Sequence, residues 1–177
     1  HNNLGVALVA QGKLDWAVRH YREALRIKPD FAVARNNLCA ALTAQGKPGE
    51  AVGYCLKALE IEPDYADAHY NLGIALDKQG KLDEAVGHYR EALRINPDYA
   101  QAHNNLGVAL AAQGKPGEAI GHYLKALELN PELAQAHYNL GTALDEQGKL
   151  DEAVGHYREA LRINPDYAKA HYKLATL

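Results

Sequence analysis

The chain has 177 residues, with 19 Lys and Arg against 22 Asp and Glu, and carries a net charge of −3 with both signs interleaved along its length. That balance leaves no basic patch and excludes nucleic-acid binding by bulk charge. No apolar run has the length of a membrane span or a signal-peptide core, so a membrane protein is not expected either.

Taken from the N-terminus, the chain repeats itself. Copies of one 34-residue unit begin at His1, Arg35, His69, His103 and His137, and a sixth copy starts at His171. Self-similarity at that period marks an array in which each unit buries its apolar face on its neighbours, with no central core. The expectation is one array over 1–177, with repeats 1–34, 35–68, 69–102, 103–136 and 137–170 and a partial helix 171–177. It has the look of a piece of a longer array. The third and fifth copies agree at 31 of 34 positions, differing at Ile74/Thr142, Lys78/Glu146 and Gln101/Lys169. The second and fourth share the KPGEA turn and the LKALE helix end, so two kinds of repeat alternate.

Within the third repeat, His69, Leu72, Gly73 and Leu76 recur at the i, i+3, i+4, i+7 spacing of one helix face. Gly80 is its expected stop. Ala85, Val86, Tyr89, Ala92 and Leu93 repeat that spacing in a second helix, which Pro97 ends, and Asp98 is a good N-cap for the next. Pro48 and Pro116 suit the first turn of the second helices in their repeats. No segment alternates with period two, so no strand is expected. Gly73 and Ala75 allow close approach to the second helix, and enlarging the equivalent Gly107 should overpack that contact. The second copy carries Cys39 at this slot, which reads as tolerance of a slightly larger side chain. Gly53, Gly87, Gly121 and Gly155 lie inside second helices, where Arg19 fills the same slot of the first repeat, so that slot faces solvent. Trp16, the only tryptophan, reads as partly exposed.

The order Leu72-Gly73, Leu76, Gly80, Ala85, Tyr89, Ala92, Pro97 resembles the tetratricopeptide repeat, and the resemblance covers the whole chain without an insertion. The usual tryptophan slot carries His, or Arg35 once. The Asn-Leu-Gly run is most similar to the arrays of protein O-linked N-acetylglucosamine transferases. What the resemblance implies is an all-α fold, a right-handed superhelical solenoid of helix-turn-helix repeats whose first helices line a concave groove.

Chemistry is scarce. The chain has no serine, and its threonines are Thr43, Thr142 and Thr176. Cys39 and Cys55 sit in no catalytic motif and in one repeat only. A disulfide framework would recur with the repeat, so they read as two buried thiols of a reducing, cytoplasmic compartment. There is no phosphate-cradling glycine loop and no HExxH. Of the nine histidines, His69, His103, His137 and His171 fall on the buried stripe and His20, His88, His122 and His156 recur on second helices. They read as structural, because four metal ligands must converge and no further set is apparent. No enzyme, cofactor or metal site is expected.

The remaining constellation is on the first helix, opposite its buried stripe. Asn3, Asn37, Asn71, Asn105 and Asn139 occupy one slot in every full repeat. Asn inside a helix is about 0.7 kcal/mol worse than Ala at most, so five in line need a reason. Their amides suit the backbone of an extended peptide, and in the transferase arrays an asparagine ladder holds a partner in that way. The alternative is that they bond neighbouring repeats. Asp67, Lys78, Gln101, Gln135 and Glu146 share that face, Tyr70, Tyr138 and Tyr172 stand at its edge, and Asp77 and Asp145 add acidity. The expected function is a scaffold binding a protein or peptide segment. The rivals are a substrate-recruiting arm of a larger glycosyltransferase and head-to-tail self-association through the terminal repeats.

Overall fold

The structure is a computed structural model describing all residues from His1 to Leu177. It contains eleven α-helices and no strand: α1 (Asn2–Ala10), α2 (Leu14–Ile27), α3 (Ala32–Ala44), α4 (Pro48–Ile61), α5 (Ala66–Asp77), α6 (Leu82–Ile95), α7 (Ala100–Ala112), α8 (Pro116–Leu129), α9 (Ala134–Glu146), α10 (Leu150–Ile163) and α11 (Ala168–Thr176). The chain divides into two compact units, His1–Pro97 with α1 to α6 and Asp98–Leu177 with α7 to α11. In the first unit α1/α2, α3/α4 and α5/α6 are helical hairpins, and α3 packs on α1 and α2 as α5 packs on α3 and α4. In the second, α7/α8 and α9/α10 pair likewise, α9 packs on α7 and α8, and α11 packs on α10.

The turns follow from the sequence. Gly80 takes φ of 76°, a left-handed conformation open to glycine, and lets the Lys81 N–H reach back to the Leu76 carbonyl at 3.0 Å. That bond satisfies a carbonyl the helix would leave orphaned. Pro48 and Pro116 open α4 and α8. Asp98, however, is not the cap of α7. The residue there is Tyr99, with no side-chain cap bond, and Phe31, Tyr65, Leu133 and Tyr167 occupy the same place in the other repeats. Each first helix after α1 starts at an alanine immediately after this bulky residue, so an apolar or aromatic side chain takes the position where a capping oxygen was expected.

The core of a repeat is a lock between two slots. Leu72 and Leu76 on α5 and Ala85, Val86 and Ala92 on α6 are buried, and Tyr89 is 1% exposed. A Cβ placed on Gly73 would stand 2.6 Å from Cε1 of Tyr89. The glycine thus makes room for the ring, and Gly5/Tyr21, Gly107/Tyr123 and Gly141/Tyr157 repeat the arrangement.

The second repeat has Cys39 at the glycine slot and Cys55 at the tyrosine slot, and the two form a disulfide. This corrects the reading of two free thiols. The slots face each other in every repeat, and here their Cα atoms lie 5.5 Å apart, well inside the range a disulfide spans. The larger residue at position 39 is accommodated because its partner is no longer a tyrosine. The argument for a reducing compartment loses its basis with the pairing. No helix is long and apolar enough to cross a membrane.

Candidate functional site

The asparagine slot lies on the first helices, and its amides are half-used. Asn37 Nδ2 donates to Asn2 Oδ1 at 3.1 Å, Asn71 to Asn36 Oδ1 at 2.9 Å, and Asn139 to Asn104 Oδ1 at 2.9 Å. Each rung therefore ties its repeat to the preceding one. Its acceptor is the asparagine one position earlier in that preceding repeat. Asn36 and Asn104 are each 4% exposed. Asn36 donates onward to the Tyr65 hydroxyl at 3.4 Å, and Asn104 to Asn105 Oδ1 at 3.1 Å. Asn3 is exposed and accepts a 3.5 Å bond from Asn2. The invariant asparagine is preceded by Asn2, Asn36 and Asn104 in three repeats and by Tyr70 and Tyr138 in two. The sequence did not reveal Asn36 and Asn104 as buried acceptors.

The other residues of this face are placed unevenly. Tyr70 is half-buried with its ring centroid 6.1 Å from that of Tyr89, and Tyr138 lies 5.9 Å from Tyr157 and 5.2 Å from Tyr167. These two are packed into the repeats, whereas Tyr172 is 70% exposed. Asp67, Lys78, Gln101, Gln135 and Glu146 are exposed. Burial holds the Asp77 carboxyl above its ordinary value, with Lys78 opposing it. Burial, helped by Glu146, pushes the Tyr123 hydroxyl up to about 12. Asp145 is not a free acid for a partner, because Lys173 bridges to it at 2.8 Å. In the first unit the face opens into a cleft of about 240 Å³ lined by Val6, Val9, Tyr21, Asn37, Ala40 and Ala41.

On the helix flanks the two histidine slots meet. His1/His20, His69/His88 and His103/His122 have Nδ1 atoms 3.0 Å apart, and His137/His156 3.1 Å. At that distance one ring donates and the other accepts. No three His, Cys, Asp or Glu side chains converge as a preformed metal group. Burial, followed by the charge of the paired ring, lowers the affinity of His88 and His156 for a second proton, against the pull of Glu84 and Glu91 or Glu152 and Glu159. Both titrate below their unfolded value, so their contribution to stability is complete above about pH 6.5 and is lost as pH falls through the lowered values. Thermal melts from about pH 8 to pH 5 should show this loss, reduced in His88→Gln/His156→Gln. Identical slopes in the two proteins would exclude it. Trp16 is 55% exposed beneath Arg19, whose guanidinium carbon is 5.0 Å from the ring centroid.

Hairpins of near-identical length, locked by a small residue against a large one and tied by side-chain amides, define a helical-repeat protein. The chain belongs to the tetratricopeptide repeat family. Models described as Tetratricopeptide repeat match 70–134, 105–168 and 30–98, and one described as TPR repeat matches 5–46. No curated protein sequence is similar enough to count as a relative. Among solved structures it is similar to MamA, at 27% identity over 93% of this chain and 96% of that one, with a TM-score of 0.76. It is also similar to YrrB, titled a TPR protein with an unusual peptide-binding site, at 25% identity over 98% and 90% with a TM-score of 0.73. A thermophilic TPR protein of Thermus thermophilus matches at 25% identity over 99% and 95%, with a TM-score of 0.83.

Proposed function

We propose that the chain is a non-catalytic scaffold whose first helices bind an extended polypeptide segment. The observation that carries this is the cleft beside Asn37. It pairs apolar walls from Val6, Val9 and Ala40 with an amide that donates one N–H to Asn2. Its Oδ1 and second N–H complement a peptide backbone, and the walls suit an apolar side chain. The likeness to YrrB, whose title names a peptide-binding site, supports the same reading. The recruiting-arm alternative rests on the Asn-Leu-Gly run alone.

The asparagines make a poor test by themselves, since Asn37→Ala, Asn71→Ala and Asn139→Ala also cut ties between repeats. Ala40→Glu avoids that problem, because Ala40 is half-exposed on the cleft wall. Peptides of about ten residues selected from a display library on the intact chain should lose at least tenfold in affinity against this variant, with its melting unchanged. Selected peptides indifferent to Ala40→Glu, or no selection at all, would overturn the assignment.

A second reading, self-association, is favoured by an apolar patch in the first repeat. Ile27 is 61% exposed and shares a cleft of about 390 Å³ with His1, Asn2, Asn3, Ala24, Lys28 and Phe31. Sedimentation should then show concentration-dependent association that Ile27→Glu abolishes, and a strictly monomeric wild type would remove this reading.

A further inference from the structure

The first repeat departs from its siblings at one spot, where α2 begins. Trp16 stands where the other full repeats carry Glu50, Glu84, Glu118 and Glu152, and Arg19 stands where they carry Gly53, Gly87, Gly121 and Gly155. In the third repeat the turn holds Lys81, Asp83 and Glu84, two acids to one base. In the first it holds Lys13, Asp15, Trp16 and Arg19, two bases to one acid. Packing asks for neither change. Trp16 is 55% exposed, and a Cβ on Gly53 or Gly87 would meet nothing within 4 Å, so the slot of Arg19 is open. The two departing side chains hold each other instead, with the guanidinium carbon 5.0 Å from the indole centroid, a contact that orients the ring at the surface.

Trp16 lines an open pocket of about 420 Å³ together with Lys13, Asp15, Gln45 and Lys47. Its lysines lack the acid that meets the same slot in the third repeat, where Lys81 reaches Glu84 three residues on at 3.8 Å. For Lys13 that third residue is Trp16. Lys47 has Glu50 at the same spacing, but Arg22 takes it at 2.7 Å. Neither lysine, nor Arg19, has a carboxylate within 4.0 Å. The one acid in the pocket, Asp15, accepts from Gln45 Nε2 at 2.8 Å, a bond that ties the start of α2 to the end of α3. Three cations against one acid thus stand around an exposed indole, in a chain whose net charge is −3.

We propose that this pocket is a docking site, separate from the groove, for an acidic polypeptide segment that presents an aromatic side chain between carboxylates. Trp and Arg are the residue types that most often dominate the energetics of a protein interface. The partner's ring packs on Trp16, and its carboxylates supply Lys13 and Lys47 with the acids their own repeats withhold. Charge complementarity selects the partner, because a basic segment would meet three cations with Asp15 alone to offset them. The pocket shares no residue with the cleft beside Asn37, so the two sites are tested independently.

Trp16 is the only tryptophan, so its fluorescence reports on the pocket directly. The intact chain is titrated with a capped peptide carrying one phenylalanine flanked by two aspartates on each side, and with the same peptide bearing lysines in place of the aspartates. The acidic peptide should shift Trp16 emission to shorter wavelength and saturate below about 1 mM. Lys13→Gln/Lys47→Gln, or salt at about 0.5 M, should weaken it tenfold or more. The basic peptide should give no saturable shift, and Ala40→Glu in the cleft should leave the acidic one unaffected. Trp16→Glu gives Lys13 the i+3 carboxylate that Lys81 has, so its circular dichroism should match wild type while calorimetry finds no binding. No saturation by about 1 mM, equal binding of the basic peptide, or loss of binding in Ala40→Glu would overturn the assignment. So would a shift with chain concentration alone that Lys13→Gln/Lys47→Gln removes, since a second copy would then fill the pocket.

Discussion

Gly107→Leu is expected to destabilise the chain by about 1–3 kcal/mol, an overpacking cost with no compensating burial. A Cβ at this position would stand 2.5 Å from Cε1 of Tyr123 and 3.1 Å from the backbone oxygen of Ala119. The ring is 3% exposed and enclosed, and the carbonyl belongs to the facing helix, so neither can swing away cheaply. The second repeat indicates how the cost is removed. Gly107→Cys alone should be destabilising, whereas Gly107→Cys with Tyr123→Cys should recover stability under oxidising conditions, since this pair of slots holds a disulfide at Cys39 and Cys55. Chemical denaturation of the three variants, with and without reductant, checks the series. Equal stability of wild type and Gly107→Leu would show that the helices separate freely at this contact.

Most of the fold was legible because the repeat presents each feature several times. The spacing of Leu72, Gly73 and Leu76 against Ala85, Tyr89 and Ala92 specifies two helices and their contact face, and Gly80 specifies the turn between them. Periodicity places residues on a face, however, and does not say which partner slot lies opposite. Cys39 and Cys55 therefore looked like isolated thiols until the Gly–Tyr contact of the other repeats showed that their slots touch. The first-helix start was missed for a related reason. Asp98 has the right chemistry for a cap, but the chain needs Tyr99 packed at that point, and packing took precedence over capping.

The candidate site was legible in part. An asparagine recurring at an outward slot identified the face, and the structure added the tie of Asn71 to Asn36 and of Asn139 to Asn104. A bond between residues 35 apart on the first helices of neighbouring repeats has no local signature, so it could be raised as an alternative and not chosen from sequence. The same holds for the histidines. Slots 19 apart sit on different helices, and the sequence gives no measure of how closely their ring nitrogens approach.

Reducing the Cys39–Cys55 bond should lower the stability of the first unit by about 3 kcal/mol, the chain-entropy contribution for a closed loop of about 15 residues. The two cysteines are 16 positions apart, and both are fully buried between α3 and α4. In melting temperature this corresponds to roughly 12–24 °C for a unit of that size. Loss of the bond has a second consequence that the entropy model omits. Two thiols fill the glycine and tyrosine slots less completely than a ring does, so the reduced repeat is also underpacked. Cys39→Gly with Cys55→Tyr restores the pairing used in the other repeats and should melt at one temperature whether or not reductant is present. If the wild type also melts independently of reductant and titrates two free thiols when unfolded without it, the cysteines are unbonded. The second repeat then depends on packing alone, with the smallest pair of side chains at its central contact.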